Sequence, residues 1–314
     1  MSTPITARSL FNRLRYKHLL MLVTLGNSQN LHRAAEALNM SQPATTRMLQ
    51  EIEEAFGCTL FERQSRGMRA TVLGEELLRF ARAALNGLER CAEDLTDRQA
   101  GGYGYLAVGA IMGAVPDLVV QSIAEMKASH PLLRLRIMGD TSDQLSELLD
   151  QRRIDVAVAR LSHAQDRQRF AFEPLGNEHL AVVVRAGHPL TQVTAPNLAE
   201  MVEAWPWILQ PDTSPARVAL ENAFARLDVA SPSDVIECTS VFAMLQLVQI
   251  TDAILVLTDT VVRDHVHTGL LTALDLEIEE QLSPFGVMLR KDEPLSRELE
   301  IFLNMLRERA QRRA

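Results

Sequence analysis

Two clusters in this 314-residue chain carry side chains that can do recognition chemistry. The first is Ser41-Gln42-Pro43-Ala44-Thr45-Thr46-Arg47. Gln and Arg are the residues that pair bidentately with adenine and guanine edges. Ser41 is a good helix N-cap, and Pro43 falls in a first turn, where a missing N–H costs nothing. The stretch therefore reads as a helix start that presents Gln42, Thr46 and Arg47 at its exposed N-terminal end, the end that meets base edges in helix-turn-helix readers. The second cluster is Arg63, Arg66 and Arg69 around Ser65 and Gly67, a cationic hairpin tip. Such a wing puts Arg66 or Arg69 in a minor groove and Arg63 on phosphate. Ser41, Gln42, Pro43, Thr46, Arg47, Arg63, Arg66 and Arg69 form the candidate contact set for double-stranded DNA. The plainer readings are an amphipathic helix pair in an ordinary core and a solvated surface hairpin.

Catalytic patterns do not compete with this. The chain has no Gly-rich dinucleotide fingerprint, Walker loop, G-x-S-x-G elbow or H-E-x-x-H. Asp264-His265-Val266-His267 would put two imidazoles on one face of a strand, but no third ligand follows at metal spacing, so exposed histidines are the better reading. Trp205-Pro206-Trp207 reads as packing rather than a stacking platform. A non-enzyme without cofactor or metal is expected.

The elements that must hold these residues can be read from periodicity. Asn30 can cap a helix over 31–38 with Leu31, Ala34, Ala35 and Leu38 on its apolar face, and the small Ala pair allows close helix crossing. Asn39-Met40 is a tight turn. The next helix runs through Leu49, Ile52 and Phe56 to Gly57, a good stop. After Thr71 a long helix reaches about Leu95, with Leu77, Ala81, Ala84, Leu88, Cys91 and Leu95 at heptad spacing, a seam suited to pairing with a second chain. The glycines within 99–104 mark a joint. Strand-like and helix-like segments then alternate to the end of the chain. The strand-like runs are 105–108, 133–137, 154–159, 180–184, 207–209, 235–238, 254–257, 270–274 and 285–289. This predicts an α/β domain of buried, largely parallel strands in two lobes, with ligands at strand C-termini in the crevice between them.

Composition sets limits on partners. Residues 1–70 hold nine Lys/Arg against five Asp/Glu, net +4, in a chain of net −8, so residues 71–314 carry −12. A small basic head on an acidic body suits site-directed rather than general nucleic-acid binding. Three widely spaced cysteines argue against a disulfide framework or zinc knuckle and favour a reducing compartment. The N-terminus lacks a signal-peptide core, and the uncharged run 99–116 has five glycines and a final Pro, so a cytoplasmic protein without a membrane span is expected.

Within the crevice, Asp140-Thr141-Ser142 and Thr239-Ser240 each follow a strand and open a helix, so Thr141, Ser142, Thr239 and Ser240 can hold an anion or simply cap. Arg160 directly follows the strand ending at Ala159. It can clamp a carboxylate or sulfonate bidentately, or pair with a neighbouring acid.

Several motifs occur together and in order: Arg33-Ala34-Ala35-Glu36, Ser41-Gln42-Pro43-Ala44, Ile52-Glu53-Glu54, Leu60-Phe61-Glu62-Arg63 and Thr71-Val72-Leu73-Gly74-Glu75. With them the stretch from Arg15 to Leu95 resembles the LysR-type transcriptional regulators. The resemblance departs at Thr45, where an aliphatic residue is usual, at Gln29, where Gly is common, at Met48, which replaces a usual polar residue, and in about ten additional residues at the start. It implies an N-terminal winged helix-turn-helix, mainly α, over 1–70 and a dimerising linker helix with hinge over 71–101. It also implies a two-lobed effector domain over 102–314, similar to periplasmic binding proteins, with lobe I over 102–184 and 285–314 and lobe II over 185–284. The chain would then cross between lobes near Val184 and Phe285. The resemblance adds the loop Ala110-Ile111-Met112 to the effector contacts. It implies a homo-oligomer built as a dimer of dimers that bends DNA in response to an effector. If Arg160 clamps an anion, that effector is a small organic acid, aromatic or sugar-derived, of the kind bound by family members that govern a catabolic operon. RNA polymerase is a candidate further partner. The alternative class is a solute-binding sensor whose head makes protein contacts.

Overall fold

The computed structural model describes residues 7–65, 67–99, 104–163, 165–194, 196–276, 278, 282–291 and 293–313. The chain divides into two compact units, one reaching Tyr105 and taking in 147–154, the other comprising 106–146 and 155–314.

The first unit is helical apart from one hairpin. It comprises α1 (Ala7–Arg13), α2 (Tyr16–Ser28), α3 (Leu31–Ala37), α4 (Gln42–Phe56), β1 (Phe61–Gln64), β2 (Gly67–Ala70) and α5 (Val72–Gln99). The core gathers Met21, Leu22 and Leu25 of α2, Ala34 of α3, Leu49 and Ile52 of α4, Leu60, and Leu78 of α5. Ala34 and Ala35 are both buried, which is what lets α3 and α4 approach closely. Thr45 and Met48 also face inward. The Thr45 hydroxyl donates to the Ser41 carbonyl at 3.2 Å, so a polar residue occupies an apolar position without an orphaned donor. Gly74 is required where α5 starts, because any side chain there would strike the Leu60 carbonyl. In α5, Leu77, Leu78 and Ala81 are buried, whereas Leu88 and Leu95 remain 49% and 57% exposed. The seam therefore divides in the middle, its first part used by its own unit and its second part uncovered.

The second unit holds two five-stranded sheets. In the first, β3 (Tyr105–Ala110), β4 (Arg134–Gly139), β5 (Val156–Ala159), β6 (Phe170–Gly176) and β12 (Phe285–Arg290) stand in the order β4-β3-β5-β12-β6. The second contains β7 (Leu180–Arg185), β8 (Trp207–Leu209), β9 (Val235–Glu237), β10 (Ile254–Thr258) and β11 (Leu271–Ala273), in the order β11-β7-β10-β8-β9. The connecting helices are α6 (Val120–Ser129), α7 (Ser142–Asp150), α8 (Asp166–Arg169), α9 (Leu198–Ala204), α10 (Pro215–Arg226), α11 (Val241–Ile250), α12 (Asp259–His267) and the last helix, α13 (Arg297–Arg313). A π-helical turn, Val115–Val119, leads into α6. Among the described residues no helix is long and apolar enough to cross a membrane.

Three expectations need correction. The sheets are mixed rather than largely parallel. β3 pairs parallel with β5, and β8 pairs parallel with β9 and β10, but β12 runs against β5 and β6, and β7 against β10 and β11. β7 and β12 are the strands through which the chain enters each sheet from the other, which reverses their direction. The first crossing lies at 177–179 rather than near Val184, because Val182 to Arg185 are already paired within the second sheet. Finally, His265 and His267 lie on a helix, α12, where two positions apart means nearly opposite faces, so they share no strand face.

Two packing details carry consequences. Gln29 caps the C-terminus of α2 in the left-handed conformation, φ 49°, which a residue with a Cβ adopts at a cost. His188 is fully buried, with Nδ1 accepting from the Leu190 N–H and Nε2 against the Asp252 carbonyl, so the neutral ring with its proton on Nε2 satisfies both contacts. Burial holds the His188 pKa below the ordinary value.

Replacing Gln29 with Gly is expected to stabilise the protein by about 0.5–1 kcal/mol, read as a higher urea midpoint at unchanged m. Because the folded pKa of His188 lies below the unfolded one, its contribution is complete above about pH 6.5 and is lost as pH falls below it. His188→Asn keeps an acceptor for the Leu190 N–H and should flatten that part of the stability–pH profile; an unchanged slope would assign the dependence to other groups.

Candidate nucleic-acid interface and ligand crevice

The surface at the start of α4 is built from the backbone upward. Asn30 caps α3 by accepting from the His32 and Arg33 N–H groups at 2.9 and 3.2 Å. The chain turns through Asn39, at φ 53°, and Ser41 caps α4 with its hydroxyl oxygen 3.4 Å from the Ala44 nitrogen. With Thr45, Met48, Leu49 and Ile52 committed to the core, Gln42, Pro43 and Arg47 are left exposed and Thr46 half-buried. Met48 is a core residue, which explains why no polar group stands there. Arg47 lies 3.3 Å from Glu51 one turn on, with its side chain 82% exposed, a pairing weak enough to exchange for a stronger anion.

The hairpin beside it is pinned by a carboxylate not singled out in the sequence. Glu53 Oε1 accepts from the backbone N–H groups of Leu60 and Phe61 at 2.7 and 3.2 Å, fastening α4 to the entrance of β1. The Met68 N–H donates to the Gln29 carbonyl at 2.7 Å, tying the other strand to the end of α2. Arg63 and Arg69 are both exposed. Register places Arg69 opposite Glu62 and Arg63 opposite Met68, so the two arginines leave opposite faces of the ribbon. Arg66 lies outside the described residues.

In the second unit, residues at the C-terminal ends of strands from both sheets line a cavity of about 660 Å³. Ile111, Met112, Thr141, Ser142, Arg160 and Thr239 are brought together on its walls. Ala110 is buried at the end of β3, and Ser240 caps α11 by accepting from the Ala243 N–H; neither is a wall residue. Three helices start at the rim, α7, α10 and α11, and turn the positive ends of their dipoles toward it. The Ser214 hydroxyl is bonded to the Gln210 side chain instead of capping α10.

The Arg160 side chain enters the floor, only 9% exposed, and forms an ion pair with Glu178. Its Nε donates to the Ser283 carbonyl at 2.8 Å, and its backbone N–H donates to the Ser142 hydroxyl at 3.1 Å. Of the two readings open in the sequence, the ion pair is the arrangement present here. Burial pushes the Arg160 pKa down to about 10, which leaves the guanidinium charged at neutral pH. Glu178 lies on the first crossing between sheets, and a side chain at Gly113 would collide with it. Glu178, Gln210, Thr213 and Thr258 reach the walls without a sequence signal, since each is placed by the meeting of distant strands. The lobes also touch beside the cavity, where Thr260 donates to the Gly113 carbonyl and Arg263 grips Asp117 bidentately.

Both parts of the chain are similar to known proteins. The family model of the bacterial regulatory helix-turn-helix proteins, lysR family, matches residues 16–75, and that of the LysR substrate binding domain matches residues 99–311. The HTH-type transcriptional regulator GbpR of Azospirillum brasilense is 36% identical over 285 residues, covering 90% of this chain and 83% of the relative. The SDS degradation transcriptional activation protein of a Pseudomonas species is 30% identical over 289 residues, covering 89% and 91%. In fold, the chain is similar to CbnR, a LysR family transcriptional regulator, with TM-score 0.62, 19% identity and coverage of 95% and 99%. CbnR has also been solved with its target DNA, and that structure is matched at TM-score 0.62.

The Glu53 bridge can be tested directly. Glu53→Ala strands two backbone donors at buried residues and is expected to cost about 1–3 kcal/mol in urea unfolding, whereas Glu53→Gln keeps an acceptor and should cost less. Equal losses in the two variants would show that the side chain acts through charge instead of the two hydrogen bonds.

Proposed function

Because the chain belongs to the LysR family of bacterial helix-turn-helix regulators, we propose that it binds and bends an operator according to whether a small organic acid occupies the crevice between its lobes. The observation that carries this is the start of α4, capped by Ser41 and packed from behind, which leaves Gln42 and Arg47 to the solvent, with Thr46 half-buried between them, on one helix. Arg63 and Arg69 of the hairpin supply backbone and groove contacts beside it. Two heads are required to read a partly palindromic site, and the uncovered Leu88, Cys91 and Leu95 of α5 offer the seam for pairing them. Two such dimers form the working tetramer, in the cytoplasm where the DNA is, and RNA polymerase is the partner through which bending acts.

The acid is the part of this reading that rests on the crevice. Arg160 is the one cation among the described wall residues, and the starts of α7, α10 and α11 add partial positive charge around it. Hydroxyls and amides of Thr141, Gln144, Gln210 and Thr239 suit a hydroxylated, sugar-derived acid, and Met112 with Ile111 offers an apolar wall to an aromatic one. Control of the catabolism of that acid is the role that fits.

The test has two arms. On duplexes selected from a random pool, Arg47→Ala is expected to lose about 1–3 kcal/mol on the selected site and little on random DNA. Equal loss on both would make Arg47 a phosphate contact. A thermal-shift screen of organic acids and uncharged sugars should yield a stabilising acid, worth about 2.7 kcal/mol at a hundred times its Kd. Hits confined to neutral compounds would refute the acid.

A further inference from the structure

We propose that Glu178 occupies Arg160 in place of the ligand's acid group, so that a monocarboxylate binds by taking the guanidinium from Glu178 and expelling that side chain toward water. The inference rests on the crevice being the ligand site and adds how that site is switched.

Four observations lead to it. Arg160 cannot follow a departing partner, because its Nε is held by the Ser283 carbonyl and its backbone N–H by Ser142. Neither side of the pair is fully satisfied: among the described residues Arg160 Nη2 makes the ion pair but no hydrogen bond, and Glu178 has an incomplete set of partners. Its Oε1 is buried without a hydrogen bond among the described residues, as is the nearby Thr258 hydroxyl. A carboxylate with an unsatisfied oxygen in a dry site is poorly stabilised there, which lowers the cost of replacing it. The third observation is charge. While Glu178 is in place, Arg160 is neutralised, and the other acid on the walls, Asp140, lies exposed with its Oδ1 accepting from the Thr141 N–H. The floor therefore holds one full positive charge, which suits a single carboxylate at Arg160.

The fourth observation is position. Glu178 belongs to the three residues that carry the chain from β6 to β7, and Ser283 to the segment that returns it from β11 to β12. Arg160 thus holds both connections between the sheets. Exchange of one carboxylate for another releases the first connection and leaves the second fastened. Binding is in this way coupled to the hinge itself, through a change in which state each contact favours.

The experiment uses the full chain with sodium acetate as the probe, titrated against sodium chloride at equal ionic strength and read by thermal shift. Glu178→Gln should bind acetate about tenfold more tightly than the unaltered protein, a difference of about 1.4 kcal/mol. Arg160→Met with Glu178→Met, which removes the pair without leaving a lone charge, should fold and show no acetate-specific shift. Should Glu178→Gln fail to fold, Glu178→Asp, which retains the charge on a shorter arm, should show the same direction of change. Acetate affinity equal in all of these proteins would overturn the exchange. Failure of the crevice as the ligand site has a separate signature, a stabilising acid from the screen whose effect survives replacement of both Thr141 and Thr239 by bulky residues.

Discussion

A helix begins with N–H groups that have no partner inside it, and both candidate surfaces of this protein are arranged around that shortage. At α4 the shortage is met locally, by the Ser41 hydroxyl and by Pro43, which has no N–H to satisfy. The helix can therefore begin in open solvent and stay ordered, and its first turn is free to meet another molecule. At α10 the obvious cap is withheld, since Ser214 is bonded to Gln210. The same backbone chemistry thus yields a self-sufficient edge in one unit and a receptive one in the other. Which of these results depends on where a single hydroxyl points.

Buried charge is treated with the same economy. Glu53, half-buried, lies against two backbone donors that hold its carboxylate by hydrogen bonds. Glu178 has Arg160 and little else. A carboxylate that completes a fold and a carboxylate that can be exchanged differ here in the number of fixed donors around each. The Asp117 to Arg263 contact is intermediate, a bidentate pair near the surface whose hydrogen bonds hold the arginine firmly charged.

The sequence was most legible where structure is decided by neighbours along the chain. Asn30, Ser41, Pro43 and Gly57 punctuate α3 and α4 through contacts within four residues, and the heptad positions of α5 follow from its own period. It was least legible where distant segments meet. β6 carries Pro174 at a sheet edge, where the missing N–H does no harm but the strand pattern is broken. The histidines of α12, two apart, read as on a strand, whereas their segment folds as a helix. The reversal of β7 and β12, and the encounter of Glu178 with Arg160, depend on a chain that passes twice between sheets, and no local signal marks either. Arg160 was recognisable as a cation at a strand end, but its partner 18 residues away was not.

The uncovered stretch of α5 gives the linker helix a mechanical meaning. Its first turns are bonded into the head through Leu77, Leu78 and Ala81, so the head and the helix move as one body. At 28 residues the helix is about 42 Å long. A tilt of about 5° at its free end displaces the head by about 3.7 Å, close to the roughly 3.4 Å between successive base pairs. The helix is therefore a lever with a gain of about one base-pair step for a movement smaller than the normal scatter of helix packing angles. A step of that size needs only a motion that would hardly show in the packing of the helix.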